Sequence, residues 1–512
     1  MPIIPFAEWL PDLPEAAGNS ARATRNVVAR TGGSYAAVPT PLPFSQAAPE
    51  RVRGHFSLLA ADGNTYTFAA TRTALLRLND DGTWQDVTAA AGPYNTPNDI
   101  LWDATAFGER VVFTQISDLP QSFYCGTDTD FAPHPAGTPK AFFCATIKDF
   151  LFLGWTWDAV DGYRPRRLWW SSIGDPLDFP DPYSDLAVMR QSSFQDLEQS
   201  DLGHLRRIVG GNLSGADGGA LCERGIWRIA YVGSPAIFDF QVAEGSPGCI
   251  ASWSVVTGRM ASAGGMRSVA YYLAADGFYA FDGAVSIPIG AGKFDRSVLA
   301  DMLPLRASWT IGASDPTSKI IVWAYIGQGG TDLYNRALIW NWEAQRGTLV
   351  ELAPVERVDR ALAQGLTLEE LDPLGTVDTL PASLDSRLFV AGAPQLALYD
   401  TAHRLNYLTG PNMAATVETG ELGLPGRRGK LHGIVRPIIE GNSARARVSV
   451  GHREQYGAPV QYDAQVPVNA LGGCGLRSSG RYLRMRLTLP PAQQFEHLVG
   501  IEAELKPDGR LR

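Results

Sequence analysis

Leu59-Ala-Ala-Asp62-Gly63-Asn-Thr-Tyr66-Thr-Phe68 returns later in the chain, one residue shorter, as Leu273-Ala-Ala-Asp276-Gly277-Phe-Tyr279-Ala-Phe281. Each phrase is an apolar run, an Asp-Gly pair that supplies the positive φ a tight turn demands, and an aromatic run coming back. That is a β-hairpin, half of a four-stranded propeller blade. The same grammar is present in Phe107-Gly-Glu-Arg-Val-Val-Phe-Thr114. In Ala337-Leu-Ile-Trp340-Asn-Trp342-Glu343, alternation assigns one face to a core.

Working outward from these hairpins, strand-like clusters occupy residues 56–88, 100–131, 141–180, 205–243, 267–289, 318–350 and 387–400. Their irregular spacing predicts an all-β fold, a β-propeller of about six or seven irregular blades. Composition agrees: Gly 53 and Pro 35 punctuate short strands, and Trp 13, Tyr 17 and Phe 21 suit pleated, half-buried surfaces. At 512 residues the chain exceeds one ordinary core, so further units are expected.

Residues 1–50, rich in Pro and poor in periodic apolar positions, predict an extended N-terminal arm that orders on a neighbouring subunit. Residues 51–405 form the propeller. A short helical insertion is expected near 355–372, where Val358, Ala361 and Leu362 share a helical face, Gly365 suits C′, and Thr367-Leu-Glu-Glu370 reads as a capping box. Residues 406–512 are a C-terminal β domain, sandwich-like, with alternating strands such as Lys430–Ile439, Ala446–Gly451 and Arg481–Leu489.

Standard catalytic constellations are missing from the sequence. Gly211-Asn-Leu-Ser214-Gly215 has the wrong spacing for a nucleophile elbow, and Gly292-Lys293 lacks the upstream glycine of a phosphate loop. The seven His residues (55, 134, 204, 403, 432, 452, 497) make no metal-binding pair at helical spacing. The five cysteines (Cys125, Cys144, Cys222, Cys249, Cys474) are scattered and odd in number, which fits reduced core thiols. Asn79-Asp80-Asp81-Gly82-Thr83-Trp84 faintly resembles the turn repeated in sialidase blades, but occurs once and reads as a plain hairpin turn. The expectation is therefore a non-enzyme with no catalytic residues, no cofactor and no metal. No apolar run is long enough for a membrane helix.

Two basic stretches admit a nucleic-acid reading. Arg164-Pro-Arg166-Arg167-Leu-Trp169-Trp170 could stack bases, though a buried aromatic strand with a solvated start is the simpler reading. Arg481-Tyr482-Leu-Arg484-Met-Arg486 puts Tyr482 and Arg484 on one face, suggesting a charged edge strand or subunit contact. A net charge of −9 argues against gripping phosphates and suits a surface along which DNA slides.

Several phrases, in order along the chain, resemble one family. They are Trp9-Leu-Pro-Asp12-Leu-Pro14, Ala23-Thr-Arg-Asn26-Val27, Gly33-Ser34-Tyr35 with Pro39, and Trp170-Ser171-Ser172-Ile-Gly174-Asp175-Pro176 with Phe179. Further along come Ala275-Asp276-Gly277 to Phe281-Asp282-Gly283, Glu418-Thr419-Gly420-Glu421, Gly480-Arg481-Tyr482-Leu483-Arg484, Gly500-Ile501 and Gly509-Arg510. The whole is similar to the tail nozzle or hub proteins of short-tailed bacteriophages, also called packaged-DNA stabilisation proteins. That resemblance implies a structural virion protein, a homohexameric ring that retains packaged DNA and guides it out during ejection, assembled in the host bacterial cytoplasm. Implied partners are adaptor or portal-proximal tail proteins, tail fibres or spikes, and double-stranded DNA passing without specific binding. The competing expectation is a carbohydrate-binding or carbohydrate-cleaving propeller, as in a receptor-binding or depolymerase subunit.

Overall fold

The computed structural model describes residues 2–15, 20–98, 100–198, 201–262, 264–365, 390–424, 427–441 and 445–508. Seven four-stranded antiparallel blades circle one axis among these residues. Blade 1 runs Gly54–Leu59, Thr65–Ala70, Leu75–Leu78 and Trp84–Asp86. Blade 2 begins at Asp103–Phe107, blade 3 at Lys140–Ile147, blade 4 at Leu205–Leu213, blade 5 at Val256–Ser262 and blade 6 at Ile311–Asp315. The protein is thus an all-β propeller.

The two Leu-Ala-Ala-Asp-Gly hairpins occupy different places in their blades. In blade 1 the phrase joins first strand to second, with Phe56 opposite Phe68; in blade 5 it joins second to third, with Leu273 opposite Phe278. Alternation also misassigns blade 6. In Tyr334–Asn341, Leu338 and Trp340 pack toward blade 5 while Ala337 and Ile339 enter a second core on the other side. A blade wedged between two others buries both faces, so no polar face remains to mark a period of two.

One 17-residue strand, Arg346–Leu362, serves two blades: residues 346–351 finish blade 6, and residues 357–362 open blade 7 against Pro394–Asp400. The predicted helix is therefore a strand over 355–362, and residues 366–372 lie outside the described residues. Val358 and Ala361 are buried in the sheet cores of blade 7. Their i, i+3 spacing reads equally as helix or as opposite faces of a strand, and pairing with Leu398 and Gln395 decides it.

Blade 7 continues through Arg404–Tyr407 and takes its last strand from the other end of the chain. Leu42–Ala47 pairs antiparallel with it, Leu42 opposite Tyr407 and Ala47 opposite Arg404. This corrects the picture of an arm laid on a neighbour. Strands from residues 2–15 and 20–47 are woven into the chain's own sheets: Ile3–Pro5, Val27–Ala29 and Tyr35–Ala37 join the C-terminal unit, and Ala23–Arg25 joins its second sheet while touching Leu349 of blade 6. Phe6, Val27 and Tyr35 are at most 1% exposed. Three-residue strands each bury at most two side chains, too few to leave a periodic signal.

The C-terminal unit is a two-layer sandwich. Gly429–Gly441 is the spine of one layer, paired with Cys474–Gly480 and Phe495–Glu502. Tyr482–Leu489 is the centre of the other, between Ala415–Glu418 and Arg447–Arg453. Leu431, Val450, Leu483 and Met485 fill the space between the layers with Phe6 and Tyr35.

The N-terminal segment also docks on the propeller. Trp9 stacks on Phe294, ring centroids 6.1 Å apart. The Asp12 carboxylate accepts from the amides of Arg296 and Ser297 at 2.8 Å each. Those are second- and third-position amides of helix α2, Asp295–Asp301, whose own N-cap residue Phe294 offers no side-chain acceptor. Asp12 thus caps the helix from 285 residues away. Asp12→Ala is expected to lower the unfolding free energy by about 1 kcal/mol, measured by urea denaturation. Removing residues 1–47 is expected to leave no cooperative unfolding transition, because it strips the last strand from blade 7 and the Phe6 and Tyr35 side chains from the sandwich core.

Candidate functional site: the axial channel

The inner strands of the blades line a channel with two chambers, of about 440 and about 610 Å³. Every blade contributes to the outer chamber: Arg53, Asn98, Phe142, Arg206, Trp309 and Glu356 mark six of them, and Trp253 enters from the segment leading into blade 5. Trp253, Ile311 and Arg357 line both chambers, so they form the partition. The guanidinium carbons of Arg207 and Arg357 lie 4.8 and 5.9 Å from the Trp253 ring centroid, a cation–π arrangement between the two chambers.

Charge in the channel is mostly paired. Arg207 meets the buried Asp103 at 2.7 Å, Arg306 meets Asp332 at 2.5 Å, and Arg206 meets Glu223 at 2.7 Å. Arg357 pairs with Asp359, and His403 contacts Glu356 at 2.9 Å. Burial raises the Asp103, Glu356 and Asp359 carboxyls above their ordinary range, opposed by Arg207, His403 and Arg357 respectively. His55, bonded through Nδ1 to the Tyr399 hydroxyl at 2.8 Å, is held down at about 3 by burial and by Arg357 nearby. It stays a neutral ring. The outer chamber still carries five arginines against two carboxylates, Asp332 and Glu356, in a chain whose net charge is −9.

One residue at the mouth adopts an uncommon backbone. Trp155 has φ +53°, at a break in blade 3 between the pairs Gly154–Leu168 and Thr156–Arg164. Its ring meets Phe142 edge-on at 4.9 Å and His204 at 5.4 Å. A register break of this kind turns a side chain that would otherwise follow the pleat, and a bulky residue with positive φ is held only by its surroundings.

The stretches that drew attention in the sequence lie elsewhere and are structural. Arg167 is 3% exposed, pairs with Asp161 at 2.6 Å and Asp196 at 2.7 Å, and lies 4.0 Å from the Phe194 centroid. Trp169 and Trp170 are buried, so blade 3 offers no open stacking platform there. Arg484 is not on an edge strand, because Tyr482–Leu489 is central in its sheet. Its guanidinium meets Glu15 at 2.8 Å and Glu421 at 3.0 Å, while Arg486 meets Glu418 at 2.7 Å. Arg453 pairs with Glu15 and Glu421, completing a network that ties the N-terminal segment to the sandwich. Asn79–Thr83 is the turn between the last two strands of blade 1, with Gly82 at φ +78°. All five cysteines are buried free thiols, and burial pushes Cys125, Cys222 and Cys249 up to about 12. Among the described residues no cluster of three potential metal ligands occurs, and no helix is long and apolar enough to cross a membrane.

No family model and no curated protein matches the chain. Among solved structures it is similar to the extracellular domain of a putative one-component system from B. thetaiotaomicron, at 10% identity and a TM-score of 0.40, over 80% of this chain. The chain spans 45% of the length of that protein. It is also similar to the N-terminal domain of Nup159, at 10% identity and TM-score 0.35, over 75% of this chain and 98% of that one. An exo-β-1,3-galactanase from Phanerochaete chrysosporium overlaps at 9% identity and TM-score 0.27, over 91% and 99% of the two chains. The propeller assignment rests on the strand pairing described above.

The channel was not legible in the sequence. Its residues come from every blade, many of them before or at the start of the inner strand, and only ring closure brings them together. Two buried histidines give the fold a pH dependence of known sign. His55 and His134 are both pushed from 6.5 to about 3, chiefly by burial. The unfolded chain therefore binds protons first, and their contribution, complete above about pH 6.5, is lost progressively as pH falls toward about 3. The urea midpoint is expected to drop between about pH 7 and about pH 5. Neither ring nitrogen of His134 has a hydrogen-bond partner among the described residues, so His134→Phe should fold and show a smaller drop.

Proposed function

We propose that this protein is a non-catalytic structural component of a bacteriophage tail, a nozzle subunit that assembles as a homohexamer in the host cytoplasm and guides DNA during ejection. One observation carries the reading: the phrases that resemble the nozzle family supply the residues that join propeller to sandwich. Trp9 and Asp12 dock on α2, and Asn26 donates to Ala414 and accepts from Glu351, bridging the sandwich and blade 6. Glu418, Glu421 and Arg484 form the network with Glu15. A resemblance concentrated in surface loops would carry less, since such loops vary freely.

Two further features support it. The propeller's own chambers are of small-molecule size and are partitioned at Trp253, so in this reading duplex DNA passes between copies and not through one. Around helix α1, Asp185–Arg190, the side chains of Tyr183, Val188 and Met189 are 75–81% exposed, apolar surface of the kind a subunit contact covers. A non-catalytic role is consistent with the channel carboxylates, three of which are each engaged by an arginine, Asp103 by Arg207, Asp332 by Arg306 and Asp359 by Arg357, while Glu356 contacts the His403 ring.

Electron microscopy of the purified protein and of the parent particle is expected to show a closed ring of copies in the tail, with Met189→Asp lowering the ring fraction. Duplex DNA should show no measurable binding near physiological salt. A protein absent from the particle, or sub-micromolar duplex affinity that falls steeply with salt, would overturn the reading.

A further inference from the structure

The channel mouth has the attributes of a ligand site that a purely structural ring does not require. Its cavity of about 440 Å³ falls within the range that holds small ligands. It is locally cationic in an acidic chain. Arg206 Nε at the mouth and Arg207 Nη1 just beneath are buried with no hydrogen-bond partner among the described residues. Arg51, which also lines the chamber, makes no ion pair among the described residues; its guanidinium donates to the Asp332 carbonyl at 3.3 Å. Trp155 faces the same space from its positive-φ position. Backbone conformations of that kind cluster where a side chain must be aimed.

We propose that this mouth binds an acidic saccharide, with a sugar carboxylate held by Arg51 and Arg206 and the apolar face of the ring set against Trp155. Guanidinium forks match carboxylates in charge and in geometry. The other polar groups of the mouth decide between anions. Asp332 and Glu356 would repel a polyphosphate, whereas they accept readily from hydroxyl groups, and Ser252, Ser308 and Asn98 add neutral partners at the same level. Trp253 and Trp309 already carry guanidinium groups, Arg207 at 4.8 Å and Arg306 at 4.0 Å from the ring centroids. Those faces are therefore taken, which disfavours a stacked nucleobase. The inference is independent of the tail assignment, since it concerns one propeller and not the ring.

The test uses the full-length protein and isothermal titration calorimetry with trigalacturonate, with maltotriose, inorganic phosphate and ADP as separate arms. Trigalacturonate is expected to bind saturably and more weakly as salt rises, and maltotriose not to bind. Arg51→Gln and Trp155→Gly, the latter compatible with the positive φ, are each expected to weaken trigalacturonate by about tenfold or more with an unchanged unfolding midpoint. Absence of trigalacturonate binding, equal binding of maltotriose, or tighter binding of phosphate or ADP would each overturn the proposal. So would wild-type affinity in both variants. If Trp155→Gly alters the fold, Arg51→Gln decides alone, because Arg51 belongs to no sheet and makes no ion pair among the described residues.

Discussion

Ring closure is the constraint on which the molecule depends. A propeller buries the faces of its blades only against one another, so the first and last blades must be locked together or both expose a large apolar face. Here the lock is the pairing of Leu42–Ala47 with Arg404–Tyr407, backed by Tyr399 and Tyr407, both 0% exposed. The continuous strand Arg346–Leu362 adds a second tie, because blades 6 and 7 share one backbone. With both ties in place the inner strands are held in a ring, and residues as distant in sequence as Arg51 and Trp309 face one cavity.

The sandwich exploits the same N-terminal segment. Having left the sandwich at Tyr35–Ala37, the chain runs directly into its blade 7 strand, so the two units share a structural element instead of a linker. Around this joint the Arg and Glu side chains are heavily desolvated: Glu418 and Glu421 are 2% and 5% exposed at their side chains, and Arg453 4%. Charge pairs buried to that extent return little net stability, but breaking one partner leaves the others uncompensated. Their effect is to fix how the N-terminal segment lies across the sandwich.

Much of the propeller was legible because its hairpins are local. Asp-Gly turns, returning aromatic strands and the succession of strand clusters mark blades 1 to 6 without reference to distant residues. Three things were not legible. The strand over 355–362 has a spacing shared by helix and sheet until its partner is known. The N-terminal strands are too short to show a period. The channel residues belong to no motif, since each blade contributes a few side chains whose chemistry has meaning only in company. The resemblance to tail nozzle proteins rested on phrases such as Trp9–Pro14 and Glu418–Glu421, and these proved to be joint residues: Asp12 meets Ser297, 285 positions on, and Glu418 pairs through its backbone with Ala23 near the other end of the chain.

The swapped order of use at the N-terminus has a consequence for biosynthesis. Leu42–Ala47 leaves the ribosome among the first segments, yet its partner Arg404–Tyr407 emerges roughly 360 residues later, a wait of about 20 to 70 s at elongation rates of about 5 to 20 residues per second. Through that interval five or six blades can form, but the ring stays open, with an apolar blade face and an unpaired strand exposed to solvent. Productive folding therefore depends on how well a nascent chain is shielded, and slower translation or a shortage of chaperones should reduce the yield of folded protein even when the finished molecule is unchanged in stability.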